Sequence, residues 1–151
     1  MDAVADIPGL LPLWQEVSGG DPGIRIAVID GPVDLSHPAL STARVTLGGQ
    51  AVGLASVPTI RSEHGTHVTS LVMGAPGTSV LGIAPNCTAT VFSIYREGIH
   101  GELEPSSQAE LALAINQALA DGADVINISS GQKTSTGQAD LILAAAPMPG
   151  G

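Results

Sequence analysis

The sequence predicts an α/β fold in three layers, a parallel sheet flanked by helices. Three observations predict it. Residues 24–29 form a nearly continuous apolar run, as expected of a strand buried on both faces. Residues 88–94 and 125–128 supply two more strands, and helical patterns alternate with them, which implies right-handed crossovers. The composition is 44% hydrophobic but only 2% aromatic, so the core must be filled by Ala, Val, Ile and Leu. Small aliphatic side chains suit close-packed α/β layers better than a β-sandwich.

Taken in order, residues 7–17 are apolar around Trp14, and a short helix over residues 11–17 is expected on the domain surface. Ser18-Gly19-Gly20-Asp21-Pro22-Gly23 is a turn by composition. The first strand ends at Asp30, and residues 30–38 are rich in Gly, Pro, Asp and Ser, hence a loop. Residues 45–47 suggest a short strand, and residues 48–59 a loop. A helix follows over residues 63–73, with Val68, Leu71 and Val72 as its apolar stripe. Gly74-Ala75-Pro76-Gly77 stops it. Residues 82–86 turn into the second strand, and residues 96–105 read as a polar loop.

Ser107 opens the clearest helix. Ser107 and Glu110 have capping-box spacing, in which each side chain satisfies a free backbone N–H of the other. Leu111, Ile115 and Leu119 repeat every four residues, and Gly122 stands where a helix closes. Residues 125–128 are read as a third buried strand, followed by Ser129-Ser130-Gly131. Residues 136–146 suggest a last helix before Pro147 and Pro149.

With 151 residues there is room for one domain with a core of useful size. The formal net charge is −9, with five Lys and Arg in all, which argues against a nucleic-acid partner. No apolar run approaches the ~18–20 residues of a membrane helix, so no membrane partner is expected. The first residues lack the basic and apolar regions of a signal peptide, and the single cysteine, Cys87, excludes an internal disulfide. A cytoplasmic location is the expectation.

Asp30 at a strand end and His64 at a helix start are two parts of a nucleophilic triad. Their surroundings resemble a known family. Ile-Ala-Val-Ile-Asp30-Gly-Pro-Val-Asp34-Leu-Ser-His37-Pro38 is similar to the aspartate motif of the subtilisin-like serine proteases, the subtilases of peptidase family S8. His64-Gly65-Thr66-His67-Val68 resembles their histidine motif, and Gly82-Ile83-Ala84-Pro85 their turn after it. Asp124-Val125-Ile126-Asn127-Ile128-Ser129 resembles the strand that lines their substrate cleft. Within the family, residues 7–10, 31–34 and 126–132 look most like the subtilases that mature cyanobactin-type ribosomal peptides.

The resemblance implies a serine endopeptidase acting on a peptide or protein substrate, with processing of a ribosomal peptide precursor as its task. Asp30 would orient the base and His64 would be the general base. The base takes a proton from a serine hydroxyl on one ring nitrogen, while a carboxylate holds its other N–H. Ser129, Ser130 and Gly131 would run beside a bound peptide as an added strand. No cofactor and no metal is implied. The chain departs from the family at Gly31, where a Ser or Thr hydroxyl usually helps hold the loop. It departs again at Thr69-Ser70, where the family has Ala-Gly.

The family nucleophile lies in a Gly-Thr-Ser-Met-Ala motif well downstream of the histidine, and no such segment occurs here. Gly77-Thr78-Ser79 copies three of its letters, but falls in the loop leading to Gly82 and reads as a turn. No oxyanion asparagine follows Ser129. The expectation is a single partial, truncated peptidase domain over residues 1–151, with residues 1–20 as an N-terminal extension packed on it. A C-terminal half or a second chain would supply the serine and the asparagine. The alternative is an inactive pseudoprotease that binds peptides. His67 is expected as a packed core histidine, His37 and His100 as loop residues, and Cys87 as a small buried hydrophobe. Glu97, Glu102 and Glu104 are expected on a solvated loop. Glu63, His64 and His67 lack the spacing of a helical zinc site.

Overall fold

In a computed structural model, residues 7–49, 63–97, 103–104 and 106–129 are described. The elements are α1 (Leu10–Glu16), β1 (Arg25–Asp30), β2 (Val45–Leu47), α2 (Glu63–Met73), β3 (Thr88–Ser93), β4 (Arg96–Glu97), β5 (Leu103–Glu104), α3 (Gln108–Ala120) and β6 (Val125–Ile128). A 3-10 turn over Pro38–Leu40 follows β1, with Pro38 just inside its start and the His37 ring accepting the Ala39 N–H.

Among the described residues β1, β2, β3 and β6 form one sheet in the order β2-β3-β1-β6. Every pairing in it is parallel, with Arg25 opposite Thr88, Ile26 opposite Val125 and Val45 opposite Ala89. The side-chain period of two sends alternate β1 residues to opposite faces. Ile26 and Val28 meet Met73, Ala89 and Val91, with Val68 and Val72 of α2 packed against them. Ala27 and Ile29 meet Phe92, Ile94 and the Leu111, Ala114, Ile115 and Ala118 face of α3. The sheet is thus covered by α2 on one side and α3 on the other. Phe92 and Ile29 are wholly buried, and each contributes about 1.5–3 kcal/mol from leaving water.

Local chemistry accounts for the helix ends. Ser107 N–H donates to Glu110 Oε2 at 2.6 Å, and Glu110 N–H donates to Ser107 Oγ at 3.2 Å, so the capping box is formed. Gly122, at φ +78°, takes the left-handed conformation that closes α3 and lets Ala123 N–H reach Ala118 O. Trp14 of α1 donates its indole N–H to Gly82 O at 3.1 Å, which ties the N-terminal helix to the turn before β3.

Four expectations are corrected. First, β6 is not a buried strand: Val125 is 50% and Ile128 42% exposed, because β6 is the last strand in the described sheet and only β1 flanks it. Second, the buried face of α2 is Gly65, Thr66, Thr69, Ser70 and Met73, while Val68, Leu71 and Val72 are only partly buried. Small residues let the helix sit close to the loop after β1, which rotates the apolar stripe toward the flank. Third, residues 96–105 contain a two-stranded antiparallel pairing of β4 with β5, Arg96 opposite Glu104. Two residues per strand are too few to show an alternating pattern. Fourth, His67 is exposed rather than packed. The expected helix over residues 136–146, along with His100 and Glu102, lies outside the described residues.

Candidate active site

The site forms where β1 ends. Asp30 shares the β1 face of Ile26 and Val28, so its carboxylate points to the side that α2 covers. His64 is the second residue of α2. Its Nδ1 lies 2.8 Å from Asp30 Oδ1. The carboxylate is 1% exposed and the imidazole 63% exposed. A carboxylate oxygen accepts, so Nδ1 is the nitrogen that donates to it and Nε2 is the one left for a substrate-side proton. That is the arrangement of a general base backed by an orienting carboxylate.

The backbone fixes this pair at several points. Gly31 N–H donates to Asp30 Oδ1 at 2.5 Å. Gly65 packs so tightly on the loop that a Cβ there would lie 2.4 Å from Pro32 O and 2.7 Å from Gly31 O. Thr66 Oγ1 accepts the Asp34 N–H at 2.9 Å. Asp34 in turn accepts the Ser36 hydroxyl and N–H, at 2.6 and 2.8 Å. The Ser36 hydroxyl above all holds the Asp34 carboxyl below the usual carboxylate value; burial opposes it, and the Ser36 N–H and the nearby His37 add to the lowering.

Both departures noted in the sequence leave a mark. With Gly31 lacking a hydroxyl, Asp30 Oδ2 is buried without a hydrogen-bond partner among the described residues, and so are Thr69 Oγ1 and Ser70 Oγ on α2. A buried acceptor without a donor carries a desolvation cost of about 1–3 kcal/mol.

Ser129 follows β6 directly. Its N–H donates to Ile29 O at 3.3 Å and its Oγ accepts from Asn127 Nδ2 at 2.6 Å, so it lies beside the β1 end that carries Asp30. Ser130 and Gly131 lie outside the described residues. Ser79 is exposed in the turn after α2, where the neighbouring Thr78 hydroxyl bonds Ala75 O and Val80 O. Cys87 is buried in the core on the α2 side. Sequence patterning does not single out Thr66. Its one signal is a hydroxyl two residues after His64, in the first turn of the helix.

A parallel α/β sheet with a carboxylate–imidazole pair outside the carboxyl end of a central strand places the molecule among α/β proteins whose sites lie at that edge. The chain belongs to the subtilase family, peptidase S8, whose family model matches residues 21–146. It is 34% identical over 118 residues to the thermophilic serine proteinase of Bacillus sp. (strain AK1), a match that takes in 77% of this chain and 28% of that protein. Among solved structures it resembles the prenylagaramide maturation protease PagA, at 38% identity and a TM-score of 0.74, over 92% of this chain and 46% of that one. The patellamide maturation protease PatA is also 38% identical, with a TM-score of 0.62, over 83% of this chain and 44% of that one. The chain therefore spans less than half the length of each of these relatives. No helix among the described residues is long and apolar enough to cross a membrane.

Proposed function

We propose that this chain carries the aspartate–histidine half of a serine endopeptidase that processes a peptide precursor, in the cytoplasm. The observation that carries the reading is the 2.8 Å contact between His64 Nδ1 and a buried Asp30. His64 acts as general base and Asp30 orients it. Ser129, with Ser130 and Gly131, lies along the substrate and pairs with its backbone. The serine nucleophile and the oxyanion donor come from a C-terminal half or a second chain. The named task of PagA and PatA, maturation, supports a peptide precursor as substrate.

A fluorophosphonate probe tests this. The 151-residue chain is expected not to label. The longer protein, or the chain with its complementing half, is expected to label on a serine of a Gly-Thr-Ser-x-Ala segment, and to lose labelling on His64→Ala. If no such segment exists in the natural gene, the chain is a peptide-binding pseudoprotease instead. Labelling of Ser79 in the 151-residue chain would also overturn the assignment.

A further inference from the structure

We propose that Thr66 is a positioning residue for the Asp30–His64 pair, acting as the latch that keeps the loop after β1 on the helix bearing His64. The proposal rests on the reading of that pair as catalytic. Asp30 is anchored on its strand, and its carboxylate is held through one oxygen. Among the described residues Oδ1 is held by the Gly31 N–H and by His64, while Oδ2 has no partner. Gly31 has no side chain with which to stiffen the loop, and Pro32 has no N–H to donate. The next attachment along the loop is Asp34 N–H on Thr66 Oγ1, at 2.9 Å.

This contact closes a small ring. Three residues separate Asp30 from Asp34 on one side, and one separates His64 from Thr66 on the other. Gly65 lies inside the ring, against the carbonyls of Gly31 and Pro32. Thr66 is 7% exposed, so water does not compete freely for its oxygen. If the latch opens, the loop lifts from Gly65. The Gly31 N–H then leaves Oδ1, and the carboxylate loses the orientation that holds the imidazole. Asp34 contributes through its N–H alone here, since its carboxylate is occupied by Ser36.

The test reads the His64 Nδ1–H proton by NMR in the 151-residue chain, where no nucleophile is needed. This separates it from the test of function: the proton reports the pair whether or not the pair is catalytic. Thr66→Val keeps the shape and removes the acceptor. Exchange of the downfield proton with water is expected to rise about fivefold, the factor one hydrogen bond contributes. Thr66→Ser keeps the acceptor and is expected to preserve the wild-type exchange rate. Ile115→Val, a core change on the opposite face of the sheet, is expected to leave it unchanged despite lowering stability. Wild-type exchange in Thr66→Val overturns the proposal. So does loss of the proton in Thr66→Ser, which decides the matter if Thr66→Val does not fold. Equal acceleration in Ile115→Val would reduce Thr66 to general stability and overturns it as well.

Discussion

Asp30 and His64 meet across the boundary between core and solvent: the carboxylate is 1% exposed, the imidazole 63%, and 2.8 Å separates Oδ1 from Nδ1. The buried partner sets the orientation and the open partner is free to act. Replacing the carboxylate by its amide keeps the volume but offers an N–H as readily as an oxygen, so the imidazole is no longer held in one tautomer. In the protein that carries the nucleophile, Asp30→Asn is expected to lower kcat on the order of 10⁴-fold. Steady-state hydrolysis of a peptide substrate measures it. A loss below tenfold would remove Asp30 from the mechanism.

Gly65 carries two opposing effects. Alanine is the better helix former by ~1 kcal/mol. Its methyl would, however, stand 2.4 Å from the Pro32 carbonyl oxygen and 2.7 Å from that of Gly31. Both are backbone atoms of a tethered loop, so overpacking wins. Gly65→Ala is expected to cost a net ~1–2 kcal/mol and to lower Tm by about 2–8 °C. Differential scanning calorimetry reads the shift, and a Tm that rises would show the loop to be free to yield.

Gly31 is the converse case. A Cβ there meets nothing nearer than Tyr95 Cδ2 at 3.8 Å. Gly31→Ser brings a hydroxyl beside Asp30, whose Oδ2 is buried without a donor. The substitution also removes freedom from the unfolded chain. A gain of about 0.5–1.5 kcal/mol is expected in urea unfolding. A smaller gain in the Asp30→Asn background would show that the hydroxyl works through the carboxylate. An equal gain in both backgrounds would assign the effect to the unfolded chain alone.

The capping box gives a simpler expectation. Ser107→Ala removes the acceptor for the Glu110 N–H and is expected to cost ~1 kcal/mol. The two capping bonds lie within the first turn of α3, so the loss is read as faster amide exchange over Gln108–Ala120.

Much of this architecture is legible in the residues. The run ending at Asp30, the helix opened by Glu63 and the Ser107–Glu110 pair are local signals, and each forms as its pattern predicts. What is less legible depends on neighbours distant in sequence. Val125 and Ile128 look like core residues by type, yet about half their surface is open because, among the described residues, β6 is flanked by β1 alone. His67 lies three residues beyond His64 in the same helix, and like His64 it faces outward, while Gly65 and Thr66 are buried. Asp30 and His64 are recognisable as parts of a motif, but the latch through Thr66 and Asp34 spans 32 positions. No local pattern announces such a contact.

Cys87 is 4% exposed, and its sulfur lies 2.6 Å from where a Cβ on Gly20 would stand. The turn before β1 is thus a lid over the only thiol in the chain. A maleimide cannot reach that sulfur until the turn and the N-terminal helix tied to Gly82 come away. The protein therefore contains its own clock for opening: the rate of alkylation of one native atom counts how often this corner of the fold lets go.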